Sequence, residues 1–233
     1  MSTADELINA LAVVSSAERA LSAAGFFKTG PGEYGEGDEF IGVSMPDARK
    51  VARRFTDLPQ SELDTLLWSS VHEHRMAALL VMTMQPLSAE LVDNYLTAAH
   101  AERVNNWDLV DASAEYILGK WLMDRPRNIL FSLAKSDLVW ERRIAIVATL
   151  HFLRNGDDST TLEIAEKLVR EKHDLIQKAV GWLLREAGKR VSQPHLLEFL
   201  DRNAGRMPRT MLAYATEHLD DATRLRYRQV PRT

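Results

Sequence analysis

The stretch LVWERRIAIVATLHFL, residues 138–153, decides the fold class of this 233-residue chain. Its apolar residues fall on almost every side of a 3.6-residue turn, and none of it alternates with period two. A helix that is apolar nearly all round leaves little face for water and must lie at the centre of a packed array. Within it Arg143 is bracketed by Val139, Trp140, Ile146 and Val147 at i−4, i−3, i+3 and i+4. A guanidinium in that setting needs an anion. An Asp–Arg ladder between structural repeats would supply one, and so would a phosphate held bidentately.

The same pattern recurs elsewhere. A basic residue, then a small residue, then aliphatics occurs at HRMAALLVM (Arg75), RRIAIVATL (Arg143), QKAVGWLLR (Lys178) and PRTMLAYA (Arg209). The steps are 68, 35 and 31 residues, and 68 is close to two units of 34. The unit skipped by the long step falls at Trp107–Asp111. Strand signals are nearly absent. Helical periodicity predicts helices near 3–24, 46–56, 60–69, 72–84, 88–100, 104–122, 126–134, 138–153, 159–171, 174–190, 193–202, 207–218 and 220–229. A helical-hairpin period of this size predicts an all-α, HEAT-like repeat solenoid over residues 1–233, one domain with a concave binding face. The one long irregular piece, KTGPGEYGEGDEFIGVSM at 28–45, carries five glycines but no Gly-Lys-Ser/Thr, so it is not a phosphate-binding loop.

Composition narrows the function. The chain is 45% hydrophobic and 27% charged and has no cysteine. That is an ordinary soluble composition, without thiolate chemistry or a thiolate metal site. The acidic start MSTADELINALAVV lacks the basic region of a secretory signal, and no uncharged apolar run approaches membrane-spanning length. A cytoplasmic protein is expected. The net charge of −4 hides an asymmetry: residues 1–100 carry 7 Lys+Arg against 14 Asp+Glu, and residues 101–233 carry 22 against 19. A nucleic-acid face therefore belongs mainly to the second half. His72 and His74, two apart in HEHR, would point to different sides of a helix and make a poor metal site, so no metal is expected.

Two further segments carry residues that a bare scaffold does not call for. In the helix from 174, Lys178, Trp182, Arg185 and Lys189 follow spacings of 4, 3 and 4, while Ile176, Val180, Leu183 and Ala187 form the core stripe. Trp182 is either a partly buried tryptophan at a repeat junction or an aromatic surface suited to a sugar-phosphate backbone or a cation. In VNNWDLVDASAEYILG, residues 104–119, Asp111 stands one turn after Trp107, with Ala114 and Leu118 at i+3 and i+7. A carboxylate among apolar neighbours costs free energy unless something pairs with it or uses it. Pairing with Arg143 one repeat on and a catalytic role are both open at this level.

The segments NNWDLVD, WERRIAI and IQKAVGWLLRE, with FIGVSMPDARKVAR before them, resemble in order the bacterial DNA alkylation repair glycosylases of the AlkD type, built from HEAT-like repeats. The resemblance spans nearly the whole chain. It implies a cofactor-free, monomeric glycosylase that hydrolyses the N-glycosidic bond of cationic N3- or N7-alkylated purines in double-stranded DNA. It also implies that the damaged base need not be flipped into a pocket, and that Trp107, Asp111, Arg143 and Trp182 line a concave basic cleft. Asp111 would stabilise an oxocarbenium-like deoxyribose and position water. The two tryptophans would favour the lesion's positive charge, and Arg143 would hold a flanking phosphate. Lys178, Arg185 and Lys189 are the expected further phosphate contacts. Here Asn106 stands where the family often has a second tryptophan, and Tyr34 is the nearest counterpart of its N-terminal cleft tyrosine. The alternative is a non-catalytic HEAT-like binding module, a DNA-structure reader or a protein scaffold.

Overall fold

A computed structural model of the chain describes residues 2–232. Among them the only extended pairing is an isolated bridge between Glu39 and Val71, and the rest is helix and loop. The chain divides into two compact units, one ending at Ser113 and one beginning at Ala114. The first contains α1 (Ala4–Val13), α2 (Ala17–Phe26), α3 (Met45–Ala52), α4 (Gln60–Leu67), α5 (His72–Met84), α6 (Ala89–His100) and α7 (Trp107–Ser113). The second opens with a π turn, Glu115–Gly119, and continues with α8 (Asn128–Leu133), α9 (Val139–Val147), α10 (Leu150–Arg154) and α11 (Ser159–Lys167). It is completed by α12 (Asp174–Arg190), α13 (Gln193–Asn203), α14 (Arg209–Ala215) and α15 (Asp221–Arg228). No helix among the described residues is long and apolar enough to cross a membrane.

Each unit is organised round one helix. In the first it is α5, packed by α1, α3, α4 and α7, with Met76 to Met82 all buried. In the second it is α12, packed by α9, α10, α11, α13 and α14. Ile176, Val180, Leu183 and Ala187 are fully buried, so the apolar stripe read from spacing is the core face. Gly181 sets the approach of α14 to α12. A Cβ there would lie 2.5 Å from the Met211 carbonyl oxygen and 2.6 Å from the Tyr214 Cβ. Backbone cannot yield as a side-chain tip can. Gly181→Ala is therefore expected to destabilise by about 1–3 kcal/mol through overpacking, despite alanine's better helix propensity. A urea midpoint at or above that of the parent protein would contradict this.

The HEAT-like repeat is present, but its register differs from the basic-residue signature. The helices α5, α7, α9, α12 and α14 begin at residues 72, 107, 139, 174 and 209, steps of 35, 32, 35 and 35. Arg75 is the fourth residue of its helix, whereas Arg143 and Lys178 are fifth and Arg209 is first. What repeats in three of them, α5, α9 and α12, is a side chain at the fourth position that reaches back to loop carbonyls. Arg75 donates to the carbonyls of Ser69 (2.8 Å) and Ser70 (3.2 Å). Arg142 donates to those of Ser136 (2.8 Å) and Asp137 (3.0 Å). Gln177 does the same at Glu171 (3.0 Å) and Lys172 (3.1 Å). Carbonyls entering a helix lack intrahelical partners, and this side chain supplies them. The fifth position of three successive repeats then holds Asp111, Arg143 and Lys178.

Three long predicted helices are interrupted, each for a local reason. The expected 3–24 helix breaks at Val14–Ser16, because the extended Ser16 caps α2 by accepting the Arg19 N–H. The expected 138–153 helix divides between α9 and α10, where the Thr149 hydroxyl donates to the Ile146 carbonyl at 2.6 Å. The expected 104–122 helix begins only at Trp107 and passes into the π turn, in which the Gly119 N–H bonds the Ala114 carbonyl at 2.9 Å. A π turn shifts every following side chain around the axis relative to α-helical periodicity.

Candidate functional site

In the first unit, Trp107 and Asp111 are both half-buried, one turn apart on α7. Val110, on the same helix, is buried. Behind them Tyr95 is fully buried, its hydroxyl 3.1 Å from Ser113 Oγ. Burial pushes its phenol pKa up and the Asp111 charge adds to the shift, so Tyr95 stays neutral beside the carboxylate. Asn106, also fully buried, accepts the Trp107 N–H at 2.9 Å through Oδ1. A short polar side chain there starts α7 in the space where the resemblance would put a second tryptophan.

Trp107 is held by aromatic rings that the sequence reading missed. Phe27 stacks on it with centroids 5.5 Å apart, and Phe26 meets it edge-on at 5.9 Å. Phe26 is 65% exposed. The signal was the pair Phe26–Phe27 at the end of a helix that buries none of its residues. Tyr34 is half-buried, with the Lys28 ammonium 6.0 Å from its ring centroid.

The glycine-rich segment is anchored by buried charges. The Glu73 carboxylate, 5% exposed, accepts the backbone N–H groups of Ile41, Gly42 and Val43, the shortest at 2.7 Å from Gly42. Gly42 has φ +75°, and a Cβ there would lie 2.1 Å from the Ser16 carbonyl oxygen. Asp38 accepts from Arg75 (2.6 Å), Asn105 (3.0 Å) and the His72 ring (3.0 Å). The other His72 nitrogen lies 2.9 Å from Asp108. Burial pushes the Asp38 carboxyl up, but the His72 hydrogen bond, the Arg75 charge and the Asn105 hydrogen bond outweigh it and hold the pKa low. His74 points elsewhere, with Nδ1 2.9 Å from Ser69 Oγ. Among the described residues no group of three or more metal-ligating side chains could hold a metal ion.

In the second unit, Lys178, Trp182, Arg185 and Lys189 lie off the core face of α12; the first three are half-buried and Lys189 is exposed. Two of the cations are already paired. Lys178 Nζ is 2.8 Å from Asp174, whose carboxyl pKa is lowered first by that hydrogen bond. Arg185 pairs with Glu217. Arg143 is 5% exposed and donates to the Leu175 carbonyl at 2.5 Å. Its guanidinium thus serves the start of α12, as well as any anion it meets.

Helix pairs repeated every 32 to 35 residues, an aromatic–carboxylate pair on one repeat helix and a tryptophan–cation face on another define a helical-repeat protein of the HEAT-like class. The sequence model of the DNA alkylation repair enzyme family matches residues 7–219, and the chain belongs to that family. Among solved structures, it is similar to a predicted DNA alkylation repair enzyme from Enterococcus faecalis. The identity is 17%, the match covers 89% of this chain and 97% of that one, and the TM-score is 0.70. At that identity the likeness concerns the fold. No curated protein matches the chain in sequence.

Proposed function

We propose that the protein is a monofunctional DNA glycosylase that hydrolyses the N-glycosidic bond of cationic N3- and N7-alkylpurines in duplex DNA. One observation carries the reading: in a DNA alkylation repair family member, a half-buried carboxylate, Asp111, stands one turn from a half-buried tryptophan. Alkylation makes the purine a cationic leaving group, so the enzyme needs chiefly a fixed negative charge beside the deoxyribose and an oriented water. Asp111 supplies the charge. Trp107, backed by Phe27, presents a π face to the positive lesion, and Trp182 does the same from α12. Arg143, Lys178, Arg185 and Lys189 hold phosphates, with Tyr34 a further contact from the glycine-rich segment. The test is base release from methylated duplex DNA by the parent protein and Asp111→Asn in parallel.

The ion pairs on α12 favour a second reading. Asp174 and Glu217 offset the charges of Lys178 and Arg185, and the whole chain carries −4, which suits a non-catalytic binding module. Salt dependence measures how far these cations engage phosphates. Replacing Lys178 and Arg185 together with alanine should lower the slope of log affinity against log salt by about two. Glu217→Gln should do the reverse, freeing Arg185 and tightening duplex binding. An unchanged slope in the double variant would move the DNA contacts elsewhere.

A further inference from the structure

His72 is the first residue of α5 and is 2% exposed. Its two ring nitrogens face two different carboxylates, Asp38 at 3.0 Å and Asp108 at 2.9 Å. Both contacts are hydrogen bonds only if both nitrogens carry protons, because an ionised carboxylate only accepts. The ring is also held flat: Phe40 stacks on it at 4.6 Å and Phe27 lies against it at 5.1 Å. The partners come from three segments. Asp38 and Phe40 belong to the glycine-rich stretch, Phe27 follows α2, and Asp108 is the second residue of α7, between Trp107 and Asp111.

We propose that His72 is a positioning residue of the Asp111 site: its doubly hydrogen-bonded imidazolium fastens the glycine-rich stretch and Phe27 to the first turn of α7, and so holds Trp107 and Asp111 in register. This rests on the glycosylase reading of Asp111. With the ring charged, Asp38 and Asp108 are balanced by His72 and Arg75. Without the proton, one ring nitrogen turns a lone pair on a carboxylate, and the cluster holds an uncompensated buried charge.

The surrounding charges leave His72 as the titrating element. Arg75 shares Asp38 at 2.6 Å, and Glu73 is committed to the N–H groups of residues 41–43. Arg103 donates to the carbonyls of Leu67, Trp68 and Ser69, and His74 faces Ser69. Lys28 lies by Tyr34, and Asp111 is one turn further along α7. Burial disfavours the His72 charge, yet the hydrogen bonds and charges of Asp108 and Asp38 raise its pKa from 6.5 to about 9. The folded value lies above the unfolded one. The stability that the clamp contributes is therefore fully present below pH 6.5 and is lost as pH rises through about 9.

The experiment titrates the full-length parent protein from about pH 6.5 to 10 with three readouts. They are the ¹⁵N shifts of the His72 ring, amide exchange in residues 38–43 and 107–111, and single-turnover release of 7-methylguanine from duplex DNA. The expected result is one ring transition near pH 9, loss of exchange protection in both segments through it, and release falling about tenfold per pH unit above it. His72→Gln, a neutral substitute whose amide donates from one end and only accepts at the other, should release base slowly at neutral pH with no transition near 9. Adding Asp108→Asn, which restores donor–acceptor complementarity, should recover part of the rate. A ring titrating at its ordinary value, or a parent rate flat through pH 9, would overturn the clamp. So would a folded His72→Gln protein with parental rate and protection. If that variant does not fold, the parent's ring and rate profiles decide alone. If the parent releases no base at any pH, the glycosylase reading fails. Ring titration and segment exchange then still decide whether His72 fastens these segments.

Discussion

Asp111→Asn is expected to slow single-turnover base release from methylated duplex DNA by ~10²–10³, about 2.7–4 kcal/mol of transition-state stabilisation. The substitution keeps shape and hydrogen-bonding capacity and removes only the charge. Its effect should therefore appear when positive charge develops on the sugar, and not when the duplex binds. Affinity should hold or tighten, since a carboxylate close to phosphates repels them. Asp111 is half-buried, and Tyr95 behind it is kept neutral partly by the Asp111 charge. If the carboxylate were structural instead, Asn would lower the melting temperature and release would fall only with the folded fraction. A stable Asp111→Asn protein with parental release would remove this residue from the chemistry.

Arg75→Leu should be the most destabilising substitution of a repeat-position side chain, at about 3–5 kcal/mol. Arg75 is 1% exposed and donates to Ser69, Ser70, Asp38 and Asn105. Leucine fills much of the volume but leaves the buried Asp38 carboxylate without its guanidinium and takes one donor from each of the Ser69 and Ser70 carbonyls. Against a total of ~5–15 kcal/mol, that brings the first unit close to unfolding. The repeat-equivalent Arg142→Leu gives an internal control. Its pair with Glu171 is wetter, with side-chain exposures of 16% and 10% against 2% and 3% for Arg75 and Asp38. Water can take over those partners at less cost. Equal urea-midpoint shifts for the two variants would contradict the ranking by burial.

Much of this protein was legible without coordinates, because its core obeys a 3.6-residue period. The bounds of α5 and α12 agree with the periodicity, and the buried stripe of α12 is the one that spacing picks out. The period near 35 residues was also visible, as was the place of the skipped unit at Trp107–Asp111. These are local properties: each helix must bury one face, and its sequence records which.

The repeat register was not legible. In WERRIAI two adjacent arginines fit the basic-then-small pattern, and hydropathy has no means of choosing between them. Hydrogen bonds to the carbonyls of residues 136 and 137 assign Arg142 to the loop-clamping position and leave Arg143 for the start of α12. The interruptions at Ser16 and Thr149 escaped for a related reason, since one hydroxyl's hydrogen bond outweighs a turn's worth of apolar pattern.

The surroundings of Trp107 and Asp111 depended on tertiary structure altogether. Phe27 meets Trp107 across 80 residues of sequence, and His72 joins Asp38 to Asp108 across 34 and 36. Amphipathic periodicity reports whether a side chain goes in or out, and it read HEHR only as two histidines on different sides. It carries nothing about which buried donor will face which buried acceptor. That is settled when the chain closes and each charge taken from water must find its partner within about 3 Å.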